Sequence, residues 1–354
     1  MSAPIDHGGG VTAAAAAFGG RPQDWLDLST GINPCLVALP EIPTRAWHRL
    51  PDSYLVDEAR RAARDYYGSG DSLPLPVPGT QSVIQLLPRL LRQGSQFAVT
   101  DDRIAVADDR VAVTDDRIAV VSPTYGEYAR AFASAGFAVD AVDDIAAIGG
   151  QHRLAVVVNP NNPDGRIWPA ETLAALHDRL KSTNGLLVVD EAFGDTDPAL
   201  SIAGHAQELA NLIIFRSFGK FFGLAGLRLG FAIARQDVLA RFEDWLGPWA
   251  VSGPALSLAA SLLRSDVTAI RRCLDDRSAA LQAALGTAGL RIKGGTALFT
   301  LVADRRASDI YTHLCRHHIL VRKFDYAPDW LRFGLTPDPA ADNRLGAALQ
   351  GFER

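Results

Sequence analysis

Five short apolar runs constrain this chain more than any other feature. IAVV (118–121), RLAVVVNP (153–160), LLVVDEA (186–192), LIIFRS (212–217) and LGFAIA (229–234) are of strand length and continuously apolar. Helical patterns such as ETLAALHDRLKSTNG separate most of them. Strands buried on both faces and alternating with helices predict a mainly parallel sheet flanked by helices, an α/β fold. VVVNPNNPDG, VVDEAF and FRSFGK turn polar where an apolar run ends. Ligands of such sheets gather at the carboxyl ends of the strands, so the candidate site is expected there.

Upstream, LVDEARRAARDYYG has helical spacing and stops at Gly68. PGTQSVIQLLPRLLRQG reads as a glycine turn opening one helix that ends near Gly94. Beyond about residue 245 the pattern changes to long helices, followed by GGTALFTLVA and WLRFGL as strand candidates. A chain of 354 residues has room for both parts. The expected organisation is an N-terminal arm (1–34) joining a smaller α/β domain (245–354), with a large domain (35–244) between them.

Net charge is −5 and the basic residues are scattered, so no nucleic-acid surface is expected. Cys35, Cys273 and Cys315 lie far apart with no CxxC or metal-ligand spacing, which suggests buried or free thiols in a reducing compartment. The N-terminus lacks the basic and apolar regions of a signal peptide, and no apolar run is long enough to span a bilayer. A cytoplasmic protein without a membrane partner is expected.

One stretch repeats itself, and residues 98–118 read as a tandem-repeat insertion within the large domain, ahead of the strand that leads into SPTYGEY. AVTDDRI begins at Ala98 and recurs as AVADDRV at Ala105 and AVTDDRI at Ala112. Branched residues fall two apart (Ile104 and Val106, Val111 and Val113, Ile118 and Val120), which fits a small β meander. The Asp-Asp pairs lack the glycine of tight hairpins, so a loop fits nearly as well. An EF-hand loop needs a glycine and a closing glutamate, both missing here, so no metal site is expected.

The chemistry gathers downstream. In SFGKFFGLAGLRLGF, Lys220 stands in an apolar, glycine-rich setting that would desolvate it and lower its pKa, as a nucleophilic amine requires. Taken alone, the stretch fits equally a strand-end lysine with its ammonium in water. GLAGLRLG is not a dinucleotide fingerprint.

Six motifs in order, PGTQS, SPTYGEY, NPNNPDG, VVDEAF, SFGK and GLRLG, resemble those of fold-type I pyridoxal-phosphate enzymes of the class I/II aminotransferase superfamily. The resemblance spans most of the chain and implies a doubly wound large domain, a small domain and a homodimer. It implies that Lys220 binds pyridoxal 5′-phosphate covalently and later moves protons. Asp190 would pair with the pyridine nitrogen and Asn162 with the phenolic oxygen, while Tyr125 would stack on the ring. Gly79, Thr80 and Gln81 would receive the cofactor phosphate with Ser217 and Arg228. Outside that motif order these residues read as a strand-end carboxylate, a turn, a packing tyrosine, a helix cap, a hydroxyl and a surface cation.

Two departures stand out. Relatives often carry DEAY where this chain has DEAF, so Phe193 brings no phenol. HRLPDSY puts Leu50 where the neighbouring subunit's phosphate-binding tyrosine is expected, with Tyr54 nearby.

DHGGG, LSTGINP, GPWAVS and ILVRKFDYAPDWLRFGL resemble the L-threonine-O-3-phosphate decarboxylase branch of that superfamily, in which DEAF is also at home. The branch implies decarboxylation of L-threonine O-3-phosphate to (R)-1-aminopropan-2-yl phosphate and CO₂, in cobalamin biosynthesis. Arg332 would grip the substrate carboxylate and Arg322 its phosphate, with His7 and Gly8 reaching that phosphate from the arm. Gly31 stands where similar proteins can carry Asn, so any contact there would be through its backbone, and Asn162 is also implied on the substrate side. Otherwise His7 is a mobile terminal residue, and the arginines are a surface cation and a strand-edge ion pair. A histidinol-phosphate-type aminotransferase is the alternative, because a small rotation of bound substrate exchanges the two reactions. A non-catalytic pyridoxal-phosphate-binding regulator is a remoter one.

Overall fold

The computed structural model describes residues 7–93 and 116–352. In chain order its strands are β1 (Leu26–Leu28), β2 (Leu75–Val77), β3 (Arg117–Val121), β4 (Ala138–Val142), β5 (His152–Val158), β6 (Leu186–Asp190), β7 (Leu212–Ser217), β8 (Gly230–Ala234), β9 (Ile292–Thr296), β10 (Phe299–Ala303), β11 (Ile319–Lys323) and β12 (Trp330–Gly334). The larger sheet has the order β2-β8-β7-β6-β5-β3-β4. Strands β4, β3, β5, β6 and β7 run parallel, and β8 is antiparallel to both β7 and β2. A parallel neighbour requires a long crossover; the segment between β7 and β8 has only short helical turns, and β8 returns antiparallel.

The five apolar runs form β3 and β5–β8, and successive residues face opposite sides of the sheet. Val157, Val189 and Ile214 enter one core, while Val156, Val188 and Ile213 enter the other. Both faces are therefore dry, and the first polar groups of these strands appear at their ends. Edge strand β4 is only partly buried, and its mixed AVDAV pattern carries a weaker signal.

The smaller sheet has the order β1-β11-β12-β10-β9. β1 pairs parallel with β11, Leu26 opposite Ile319, so the N-terminal arm is stitched to the end of the chain. The hairpin β9–β10 and strand β12 coincide with GGTALFTLVA and WLRFGL.

Three expectations need correction. The helix after PGTQS is two pieces, Thr80–Ile84 and Leu87–Gln93, because the ring of Pro88 clashes with the carbonyl four residues earlier. Cys35 and Cys273 are not free thiols: a disulfide joins them across 238 residues, with Cα atoms 6.5 Å apart. No local spacing could announce a pair that only the tertiary fold brings together; Cys315 stays unpaired and buried. The third correction concerns the repeat. Its first two copies and the expected meander lie outside the described residues, but the third ends inside them as Arg117 and Ile118 of β3. Arg117 Nε donates to Asp140 at 2.6 Å and Ile118 is fully buried, so both belong to the sheet and not to an insertion over 98–118.

Among the described residues, no helix is long and apolar enough to cross a membrane, and no His/Cys/Asp/Glu cluster fits a metal.

Candidate active site

A cavity of about 440 Å³ opens where the carboxyl ends of β5, β6 and β7 meet the smaller sheet and the N-terminal arm. Fourteen sequence-predicted site residues, from His7 to Arg332, line it: His7, Gly8, Gly31, Gly79, Thr80, Gln81, Tyr125, Asn162, Asp190, Ser217, Lys220, Arg228, Arg322 and Arg332. Each arrives there for a local reason.

Asp190 is the last residue of β6 and is buried. Tyr128 Oη donates to its Oδ2 at 2.8 Å and the Ala192 amide donates to its Oδ1 at 3.0 Å. Burial nonetheless dominates and raises its pKa to about 6, against the stabilising bonds and Lys220. A buried carboxylate held this way is poised to pair with a protonated group arriving from the cavity.

Lys220 lies three residues beyond β7 in the short helix Phe218–Phe221. Among the described residues none makes a hydrogen bond to its Nζ, which sits 5.8 Å from the ring centre of Phe193. Burial lowers its pKa to about 8; Arg332 and then Arg228 push the same way, and Asp190 opposes them. More of this amine is then neutral near pH 7 than of an ordinary lysine.

The phosphate-sized end is built around the turn before Thr80. Gly79 has φ 74°, a left-handed conformation that favours glycine, and the turn there lies against the Arg228 guanidinium, with a Cβ standing 2.8 Å from Nη2. Ser217 and Thr80 complete this end of the cavity. Gln81 accepts from Tyr125 Oη at 3.1 Å, and burial raises the Tyr125 phenol to about 12, helped by Glu127 and Asp190.

In NPNNPDG the asparagines divide their work. Asn159 exchanges two bonds with the Trp168 backbone, and Asn161 binds Pro123 and Asp164. These fix the loop and leave Asn162 at the cavity, where its Oδ1 accepts from Arg332 Nη1 at 2.5 Å.

The opposite wall comes from the smaller sheet. Arg322 of β11 is directly paired with Arg332 of β12, an arrangement of like charges that an anion would relieve. Arg332 is buried; its Nη2 donates to the Ser29 carbonyl at 2.8 Å, while Nε has no partner among the described residues. Burial first, and Arg322 second, lower the Arg332 pKa to about 10. At Gly31 a Cβ would meet Phe299 Cδ1 at 2.9 Å and Phe193 Cε1 at 3.0 Å. The interlocked rings thus occupy the space a side chain would need, which accounts for glycine at this position.

The chain matches the family model for aminotransferase class I and II over residues 23–349. It belongs to the class I and II aminotransferase family. It is 58% identical over 353 residues, covering 100% of each chain, to a Sinorhizobium protein named threonine-phosphate decarboxylase. A Pseudomonas aeruginosa protein of the same name is 41% identical, covering 99% of this chain and 98% of its own. A solved histidinol-phosphate aminotransferase from Sinorhizobium meliloti, in complex with pyridoxal-5′-phosphate, superposes with a TM-score of 0.74 at 20% identity. That superposition covers 98% of this chain and 94% of the other, and establishes the class I and II fold.

Within that family framework, some of the cavity was not legible in advance. Tyr326, Phe324, Thr30 and Thr124 also line it. Tyr326 lies four residues beyond Arg322 in a segment already singled out, but its phenol enters the site only because the chain turns after β11. Leu50 and Tyr54 do not line the cavity; they are 65% and 57% exposed on the outer surface.

Proposed function

We propose that this chain is a pyridoxal-phosphate-dependent decarboxylase that converts L-threonine O-3-phosphate to (R)-1-aminopropan-2-yl phosphate and CO₂ in cobalamin biosynthesis. The observation that carries the reading is one cavity holding a desolvated lysine, a buried carboxylate and two paired arginines. It occurs in a chain 58% identical over its whole length to a protein named for that reaction.

The residues fit the cofactor. Lys220 would hold it through its amine, Asp190 would face its ring nitrogen and Asn162 its phenolic oxygen. The turn at Gly79–Gln81, with Ser217 and Arg228, would hold its phosphate. A Cβ at Gly79 would fill that cradle, and Asp190 keeps a raised pKa until a cation joins it. When bound, pyridoxal 5′-phosphate supplies the electron sink for the pair left by the departing carboxylate.

The chain's own groups do the rest. Arg332 holds the substrate carboxylate through its guanidinium, and Arg322 with the His7–Gly8 end of the arm takes the phosphate. Fixing both ends of a small substrate decides which bond at its α-carbon is presented for cleavage. Lys220, with a pKa near the working pH, carries the proton back to that carbon. Phe193 and Phe299 form a dry wall beside the amine.

The working unit is a homodimer in the cytoplasm. Leu36, Leu39, Trp47, Leu50, Tyr54 and Trp249 are exposed large apolar side chains that a partner subunit would cover. Cofactor-loaded protein is expected to release CO₂ from O-phospho-L-threonine and to form no glutamate from 2-oxoglutarate and histidinol phosphate. Glutamate formation without CO₂ release would replace this reading by the aminotransferase one.

A further inference from the structure

Glu127 opens the helix Glu127–Ser134, is buried, and does not line the cavity. A buried carboxylate normally answers to a charge or a metal, yet four different donors converge on this one. His7 Nε2 lies 3.0 Å from Oε1 and Arg130 Nη1 donates to it at 3.4 Å. Gln81 Nε2 donates to Oε2 at 3.0 Å and Gln85 Nε2 at 3.4 Å. A carboxylate is acceptor-only, so His7 must carry its proton on Nε2. Through Gln81 the same group reaches Tyr125, whose ring centre lies 5.9 Å from that of His7.

Beside His7 the arm is fastened to the smaller sheet, and at its far end Asn33 binds the carbonyls of Lys220 and Phe221. The Gly9 amide donates to Ser29 Oγ at 2.7 Å, and the Ser29 carbonyl in turn accepts from Arg332. At its beginning the arm reaches the large sheet's side of the cavity through His7, and Glu127 is what it meets there. The contact joins residues 120 apart and bridges the mouth of the site.

We propose that Glu127 is a positioning residue that latches the N-terminal arm over the cavity by fixing the ring of His7. It thereby sets the affinity for the phosphorylated substrate without touching it. The part concerning substrate rests on the decarboxylase reading; the latch itself does not.

The test is a double-mutant cycle in cofactor-loaded protein with H7Q, E127Q and the pair. Each single variant is expected to raise KM for O-phospho-L-threonine by roughly tenfold or more, with kcat within about twofold, the size of one lost charge-assisted bond. The double variant should be no worse than H7Q. Multiplying effects, or a fall in kcat at unchanged KM, would overturn the latch. E127D, one methylene too short to reach His7, serves the same cycle where E127Q yields no soluble protein. Independently of substrate, the His7 ring nitrogen signals in ¹⁵N-histidine-labelled protein, identified by their loss in H7Q, should shift in E127Q. Unchanged signals refute the latch. If wild-type protein releases no CO₂ from O-phospho-L-threonine, the decarboxylase reading fails while the nitrogen signals still decide the latch.

Discussion

The two walls of the cavity are built differently. On the large-sheet side, each group is held within the large domain: Asp190 by the Ala192 amide two residues on and by Tyr128, 62 residues away, and Lys220 by the short helix that follows β7. On the other side nothing is local. Arg332 is held by Ser29 and Asn162, 303 and 170 residues away, and His7 by Glu127, 120 residues away. The first wall carries groups whose chemistry many substrates could use. The second reads the ends of one particular substrate, and it exists only when three distant segments have come together. Damage to the first should abolish chemistry; damage to the second should weaken recognition and redirect it.

The sharpest way to break this contrast is at Lys220. Replacing it with alanine should lower turnover by about 10³-fold or more and abolish the visible absorbance of the covalently held cofactor, while thermal unfolding stays cooperative. A retained band would move the nucleophile elsewhere.

Arg332→Gln comes next and crosses between the walls. Losing a buried two-pronged contact to a carboxylate should cost about 10²-fold in kcat/KM, with the cofactor absorbance retained. It should also alter Lys220, because Arg332 is the second cause of its lowered pKa after burial. Uptake of pyridoxal phosphate by cofactor-free protein needs the neutral amine, so its rate should rise with pH through about 8. In R332Q that rise should move to higher pH, and in D190N, which removes an opposing charge, to lower pH. A profile that stays fixed in R332Q would mean the walls do not sense each other.

Legibility in the sequence follows the same division. Continuously apolar runs of strand length, separated by helical patterns, read as strands covered on both faces whose polar ends gather together, so the placing of Asp190, Asn162 and Lys220 at strand ends followed from pattern. Motif order then added the turn at Gly79 and the pairing of Arg228 with it. The second wall was legible through family resemblance alone: nothing near Arg332 announces Ser29, and nothing near His7 announces Glu127. Tyr326 escaped because its direction depends on how the chain leaves β11. The Cys35–Cys273 bond escaped for the same reason, since a separation of 238 residues leaves no spacing to read.

That bond is the covalent join between the two regions. Asn33, two residues before Cys35, binds the carbonyls of Lys220 and Phe221, while Cys273 lies in the helix Thr268–Thr287. Cys35→Ser should therefore lower stability by about 2–4 kcal/mol through the freed loop, read as a lower denaturation midpoint than that of oxidised wild type. Turnover should stay within about twofold, because Asn33 keeps its own bonds. Loss of turnover at unchanged stability would show that the bond aligns the site and does not merely fasten it.

The smallest effect should come from the repeat, and the structure decides where to cut. Removing residues 98–118 would replace Arg117 and Ile118 by Gln96 and Phe97 at the start of β3. That would put a larger ring into the space filled by Ile118, fully buried against the second core, and lose the bond from Arg117 to Asp140. Overpacking of this kind costs about 1–3 kcal/mol. Removing residues 98–111 leaves one intact AVTDDRI unit running into Ala119, with the whole of β3 preserved. The shorter deletion is expected to match the parent in denaturation midpoint, cofactor absorbance and turnover, and the longer one to lose stability. Equal stability of the two would mean that β3 tolerates either start, and a loss of cofactor binding in the shorter deletion would show that the extra copies support the wall that β3 helps to build.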